Sequence, residues 1–181
     1  MFENKSLLAF RGKLILKLND DTIKKGKGFP KVLLAIDGSA PSMDAAEDAI
    51  EIAKNNNSQL IILHVIDLYK YPYLLSSTIL APTFGSQKYS EEKKQAQEWM
   101  NAIKEKFNQS NDNAANLRNV KTEIVEGKTS VASTIVEYAE SEEVSLIVIG
   151  SRGVTGFKKM LVGSVASDVV KYAHCSVLVV R

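Results

Sequence analysis

Four apolar runs and one alternating segment predict five β-strands in the chain after residue 30. The apolar runs are rich in β-branched residues and nearly uninterrupted, as expected for strands that helices cover on both faces. They are Lys31–Ile36, Leu60–Ile66, Val144–Ile149 and Val177–Val180. Val120–Val125 instead alternates apolar and charged side chains, which predicts a strand at the edge of the sheet.

Between these strands, apolar residues recur at spacings of three and four, which predicts four amphipathic helices. The first follows Ser39 with Pro41 in its first turn, and the second, long helix starts at about Ser90. A connection over residues 67–88, with its prolines and tyrosines, precedes that long helix and is either a lid, a subunit contact or a surface excursion. Strands that alternate with helices predict an open, doubly wound α/β sheet of the Rossmann-like type, which binds ligands at the carboxyl ends of its strands.

The first 29 residues form an N-terminal extension, and residues 30–181 form the domain. Two apolar stretches of the extension, Leu7–Phe10 and Leu14–Leu18, are compatible with an extra strand or an amphipathic helix. A polar, glycine-containing stretch that ends at Gly28 is typical of a linker. Partial disorder and docking on a partner subunit are both open as descriptions of the extension.

Composition and charge narrow the class of protein. Hydrophobic residues make up 45% of the 181-residue chain and charged residues 24%, which is ordinary for a globular domain. The extension carries +4 and the domain −2, so a dedicated nucleic-acid binder with a strongly basic face is not expected. The single cysteine, Cys175, favours core packing over a metal or redox site. No apolar run is long enough to cross a membrane and no secretory pattern opens the chain, so a cytoplasmic protein is expected.

A glycine-punctuated loop follows the fourth strand. The segment from Gly150 to Ser164 leads from a strand into a helix, and glycines there let the backbone approach an anion at the helix N-terminus. The same glycines are compatible with a loop that only turns the chain, because short glycine motifs occur often by chance.

The spacing of the motif favours the anion-binding interpretation of this loop. Two residues separate Gly150 from Gly153, and nine more precede the pair Gly163 and Ser164. This resembles the nucleotide-binding signature of the universal stress protein family. The resemblance covers residues 30–181 and extends to three other segments in the family's order, Ala35–Ser39, Leu63–Asp67 and Ala173–Val180.

The resemblance implies a strand order of 3-2-1-4-5 and a site for ATP, AMP or another adenine nucleotide. A divalent ion such as Mg²⁺ is expected to be held through the phosphates. By the same resemblance, Asp37 binds the ribose and the backbone of Val65 pairs with adenine. The phosphates are assigned to Gly150, Gly153, Gly163, Ser164 and Val165. The expected site is completed by Ala35, Ser39, Ile149 and Arg152. Lys158 and Lys159 either add cationic contacts to the phosphates or form a solvated face of the loop.

Three functional hypotheses follow. The first is a nucleotide-binding stress or signalling module whose contacts with a still unknown protein partner depend on its ligand; the others are a slow ATPase that uses the same site and a dimeric scaffold that uses no nucleotide. His64 and His174 are interpreted as structural, and the chain lacks the nucleophile and Walker signatures of common hydrolases. The apolar strand Val177–Val180 is expected at a sheet edge, where an apolar strand needs covering. The family resemblance implies a homodimer that pairs through this strand.

Overall fold

A computed structural model describes residues 9–10, 13–17, 28–72, 83–109, 119–154 and 162–181, with side chains from residue 28 onward except at 83–85. Lys158 and Lys159, and residues 73–82 of the connection expected over 67–88, lie outside the described residues. The strands are β1 (Ala9–Phe10), β2 (Lys13–Lys17), β3 (Lys31–Ile36), β4 (Gln59–Asp67), β5 (Val120–Gly127), β6 (Leu146–Gly150) and β7 (Ser176–Val180). The helices are α1 (Ala40–Asn55), α2 (Thr83–Gln109), α3 (Val131–Ser141) and α4 (Ser164–Tyr172), with a short 3₁₀ turn at Leu68–Lys70.

The five strands of the domain form a parallel sheet in the order β5-β4-β3-β6-β7. Numbered along the domain, this is the predicted order 3-2-1-4-5, so the predicted fold class is confirmed. The order reverses between β3 and β6, which lie side by side. The carboxyl ends of these two strands therefore flank the position where doubly wound sheets bind their ligands.

The sheet separates two apolar layers, because successive residues of each strand point to opposite faces. Val32, Leu34 and Ile36 of β3 pack with α1 and α2, whereas Leu33 and Ala35 pack with α3 and α4. This alternation explains why the strands are apolar on both faces: each face is covered by two helices.

The long helix α2 starts seven residues earlier than its periodicity predicts, at Thr83 rather than at about Ser90. Its buried side, which includes Ala96, Met100 and Ile103, is the predicted one. The apolar stripe marks the part of the helix that packs on the sheet, whereas residues 86–88 are helical and exposed. Among the described residues, no helix combines the length and apolarity that a membrane span requires.

The N-terminal extension contributes two strands to the same sheet. β2 pairs antiparallel with β7, and β1 pairs antiparallel with β2, which gives a seven-stranded sheet in the described part of the chain. The expectation that Val177–Val180 lies at a free sheet edge is therefore wrong. The chain supplies its own strand to the N–H and C=O groups that β7 would otherwise leave unpaired.

Candidate functional site

Asp37 lies at the carboxyl end of β3 and connects two loops. Its Oδ1 accepts hydrogen bonds from the backbone N of Ser39 at 3.0 Å and from Ser39 Oγ at 2.5 Å. Its Oδ2 accepts from the backbone N of Val154 at 3.1 Å, across a sequence separation of 117 residues. The carboxylate thus ties the loop after β3 to the glycine loop after β6.

The loop after β3 is shaped by Gly38 and Ser39. Gly38 has a φ of +77°, a left-handed conformation that glycine adopts without strain. Ser39 is the N-cap of α1, and its Oγ accepts from the backbone N of Ser42 at 3.4 Å. Ser39 Oγ also lies 3.2 Å from the carbonyl oxygen of Arg152. Since a hydroxyl has a single proton to donate, Asp37 and this carbonyl are alternative acceptors, and both link the same two loops.

The two halves of the glycine motif meet at the end of β6. The backbone N of Gly163 donates to the carbonyl oxygen of Ser151 at 2.7 Å, which closes the loop between them. A Cβ placed on Gly153 would lie 2.6 Å from Asp37 Oδ2. The exposed backbone at Gly153 therefore lies directly beside the carboxylate, a space that any side chain would fill.

The helix α4 begins at this loop without a side-chain cap. Its N-cap is Gly163, which has no side chain to accept from the first turn, and Ser164 is its first residue. The first N–H groups of a helix lack intrahelical partners and mark the positive end of its dipole. Ser164 and the half-buried Val165 lie in this first turn. The arrangement offers N–H donors to an anion.

The strand β4 extends beyond its neighbour β3. The pairing of β3 with β4 ends at Ile36 and His64, while β4 remains paired with β5 up to Asp67. Val65 is the first residue of β4 that has no partner on β3. Its backbone therefore faces the space beyond the carboxyl end of β3. Ala35 and Ile149 are directly opposite each other on β3 and β6 and form a buried floor next to these loops.

The sequence analysis interprets His64 as structural, and the structure shows that His64 and Trp99 contact the residues on either side of Asp37. His64 Nδ1 donates to the carbonyl oxygen of Ile36 at 2.9 Å. Trp99 lies against Gly38, where an added Cβ would be 2.2 Å from its ring. The His64 and Trp99 rings meet edge to face, with their centroids 5.9 Å apart. Such long-range contacts between β4, α2 and a loop leave no local signal in the sequence.

Glu92 of α2 completes this cluster. His64 Nε2 lies 3.3 Å from Glu92 Oε1, and the Tyr71 hydroxyl donates to Glu92 Oε2. The hydrogen bond from His64 is the main cause that lowers the pKa of Glu92, partly opposed by burial. Each ring nitrogen of His64 thus faces an acceptor, the carbonyl oxygen of Ile36 or the carboxylate of Glu92.

Replacing Glu92 by glutamine should destabilise the fold by about 1 kcal/mol near neutral pH, because one amide cannot accept both hydrogen bonds as a carboxylate does. A lowered pKa means that the carboxylate contributes fully above the unfolded value and that the contribution is lost as pH falls through the lower, folded value. The destabilisation should therefore be larger at about pH 5 than at about pH 3. Urea denaturation followed by circular dichroism measures it. Glu98→Gln, on the exposed side of the same helix, is the matched control, and an effect of equal size there would contradict the prediction.

Two further observations concern the polar groups of the site. The hydroxyl of Ser151 is completely buried and has no hydrogen-bond partner in the structure. Arg152 is half-buried and contributes its carbonyl to the contact with Ser39. Within the described ranges, no group of three or more His, Cys, Asp or Glu residues is arranged to bind a metal ion.

A sequence model of the universal stress protein family matches residues 28–181, which is the domain without most of its N-terminal extension. The chain belongs to the universal stress protein family. A universal stress protein of Methanocaldococcus jannaschii is 35% identical over 167 residues, which cover 88% of this chain and 86% of that protein. The universal stress protein YxiE of Bacillus subtilis is 35% identical over 84% of this chain and 99% of its own length.

Solved structures of universal stress proteins share this fold. The universal stress protein UspA of Lactobacillus plantarum superimposes with a TM-score of 0.70 at 28% identity, over 85% of this chain and 99% of its own. A universal stress protein in complex with cAMP has a TM-score of 0.61 at 21% identity and covers 85% of this chain and 98% of its own. One from Archaeoglobus fulgidus in complex with dAMP has a TM-score of 0.56 at 17% identity, over 86% and 99%.

Proposed function

We propose that this universal stress protein binds an adenine nucleotide, ATP in the first place, at the carboxyl ends of β3, β4 and β6. The observation that carries the proposal is the joining of two loops at Asp37, whose carboxylate accepts from both Ser39 and Val154. This contact places a carboxylate beside a bare glycine backbone, and the hydrogen bond from Gly163 N to Ser151 O holds the uncapped N-terminus of α4 at the same loop. A nucleotide offers the matching chemistry, since its ribose donates hydrogen bonds and its phosphates accept them.

Asp37 retains room for a ribose hydroxyl. An ionised carboxylate has about four acceptor positions, and loop hydrogen atoms take three of them here. The backbone of Val65, past the last residue pair of β3 and β4, is assigned to adenine. A planar base can exchange hydrogen bonds with such an unpaired strand edge as a neighbouring strand would.

The phosphates are assigned to the glycine loop and to the first turn of α4. Gly153, Gly163, Ser164 and Val165 supply backbone N–H groups there, while Gly150 and Arg152 shape the loop's entry. When ATP is bound, Mg²⁺ would neutralise the charge of its phosphates.

Two proteins of this fold contain cAMP and dAMP, which makes adenine nucleotides the first ligands to test. The same proposal gives the protein a cytoplasmic role in which a protein partner responds to the bound nucleotide. A homodimer through Val177–Val180 stays a prediction. Because β2 pairs with this strand, such a dimer requires β2 to leave it.

The test is denaturing extraction of freshly purified protein, followed by mass spectrometry of the released small molecules. Stoichiometric ATP or another adenine nucleotide supports the proposal. An empty extract, together with no binding of ATP and Mg²⁺ in titration, would favour the scaffold. Hydrolysis of ATP to ADP would support the slow ATPase, provided that the Gly153→Val variant no longer hydrolyses ATP.

Trp99 provides a direct signal for this titration. It is the only tryptophan of the chain, and its ring lies against Gly38, the residue that joins Asp37 to Ser39. We expect the addition of ATP and Mg²⁺ to change its fluorescence in a saturable way, because the ligand would bind to the loop that the ring contacts. Inorganic phosphate with Mg²⁺ is the control. An equal change with phosphate alone would show that the signal does not report a nucleoside site.

A further inference from the structure

The outer edge of β7 is occupied by the chain's own N-terminal hairpin, formed by β1 and β2. Leu14 lies opposite Val179, Ile15 opposite Leu178 and Lys17 opposite Val177, with a shift of register between Ile15 and Lys17. On its other side, β7 pairs with β6 in parallel. The hairpin therefore converts the last strand of the parallel sheet from an edge strand into an internal strand.

The covered strand is well suited to pair with another chain. All five residues from Ser176 to Val180 are buried, and four of them are consecutive apolar residues. Such a strand with free N–H and C=O groups would be a template for association. The strand that replaces it at the edge, β1, is only two residues long. Short edge strands are one of the means by which proteins avoid edge-to-edge association.

The direction of β2 indicates which partner it excludes. β2 runs antiparallel to β7. A two-fold axis perpendicular to the sheet would also place two copies of β7 antiparallel to each other, in an isologous contact. β2 thus occupies the place, and has the direction, of β7 from a second copy of this chain. The hairpin and a second copy cannot occupy the edge at the same time.

The connection between hairpin and domain is long enough to act within one chain. Lys17 lies at the amino end of β7, and β3 starts at the same end of the sheet with Lys31. β2 and β3 are separated by three strand spacings, roughly 14 Å. Residues 18–30 span this distance several times over when extended. A short tether gives an effective concentration in the millimolar range, which favours the chain's own hairpin over a second copy at micromolar concentration.

We propose that the N-terminal hairpin is an intramolecular cap that keeps the protein monomeric and competes with a second copy of the chain for the edge of β7. Its release exposes the edge and permits a two-fold symmetric dimer through β7. This device is independent of nucleotide binding, since it lies at the edge of the sheet and not at the carboxyl ends of β3 and β6.

A cross-link in the full chain tests the cap directly. In the double variant Leu14→Cys and Val179→Cys, with Cys175→Ala to remove the native thiol, the new cysteines lie opposite each other on neighbouring strands. Directly opposed residues of antiparallel strands have Cα separations that a disulfide can bridge. We expect oxidation to give an intrachain disulfide and a monomer in non-reducing electrophoresis. A covalent dimer would show that the hairpin is exchanged between copies, and the absence of any disulfide would show that β2 does not pair with β7; either result overturns the proposal.

A second variant tests the competition. Ile15→Pro removes an N–H group and disfavours the strand within β2. At about 50 μM, well below the effective concentration of the tether, light scattering should give the wild type its monomer mass of 19.9 kDa and the variant twice that mass. Asn4→Pro, which precedes both strands, is the control and should stay monomeric. Circular dichroism confirms that the domain remains folded. A folded Ile15→Pro variant that stays monomeric, or a wild type that is already dimeric, would contradict the proposal.

Discussion

Gly153→Val should lower the affinity for ATP at least about 100-fold while the domain stays folded. The Cβ alone would lie 2.6 Å from Asp37 Oδ2, closer than nonbonded atoms allow, and the two methyl groups would extend over the loop. The carboxylate would have to turn away from the backbone N of Val154, and the phosphates would lose their approach to the backbone. Loss of two charge-assisted hydrogen bonds accounts for about 3 kcal/mol, or a factor of roughly 100. Gly153 is exposed, so its replacement removes no core contact.

Calorimetric titration with ATP and Mg²⁺ measures this loss. Gly28→Val is the matched control, because it makes the same substitution at an exposed glycine at the amino end of the sheet. There the three atoms nearest to the added Cβ would all belong to the side chain of Asn56, whose amide group, at 2.1 Å the closest, can rotate away. Unchanged affinity in Gly153→Val would show that the phosphates bind elsewhere. If Gly153→Val unfolds the domain, the same titration is made with Asp37→Asn, which keeps the side-chain volume. A loss of affinity in that variant would support the assignment of the site.

The parallel sheet was predictable because its signals are local. β3 and β6 are short, apolar and β-branched, and the stripe that includes Ala45, Ala49 and Ala53 of α1 fits a helix that packs on them. The strand order came from the family resemblance, because periodicity along the chain does not state which strands are neighbours. The start of α2 was missed since residues 86–88, which precede the predicted start, are polar and exposed.

The hairpin and the surroundings of Asp37 were not predictable from pattern alone. Leu14–Leu18 is apolar enough for a strand or a helix, and only its pairing with the distant β7 decides between them. His64 resembles any histidine within a buried strand, yet its ring holds Ile36 through the carbonyl oxygen and contacts Trp99. Both features depend on contacts between residues far apart in the chain.

Gly150 shows how one residue type serves different purposes within one motif. From the sequence, Gly150 and Gly153 were grouped as glycines that let a phosphate approach. In the structure, the two positions have different neighbours: Gly153 lies beside a carboxylate, whereas Gly150 lies against the backbone of α1. A Cβ on Gly150 would be 2.7 Å from the carbonyl carbon of Pro41 and 2.7 Å from the backbone N of Ser42. The first need for glycine at position 150 is therefore the close packing of α1 on β6.

Gly150→Ala should consequently destabilise the domain by about 3 kcal/mol, at the upper end of the cost of overpacking, because a rotamer change cannot relieve a clash with backbone atoms. For a chain of this size, the melting temperature should fall by about 10 °C. Gly163→Ala is the matched comparison in the same motif, since a Cβ there meets its nearest atom, Ser151 O, at an ordinary 3.4 Å. That variant should lose less than about 1 kcal/mol, the scale of an altered helix cap. Urea denaturation followed by Trp99 fluorescence compares the two. Equal losses would mean that α1 can move away from β6 without cost, and Gly150 would then be free to serve the phosphates alone.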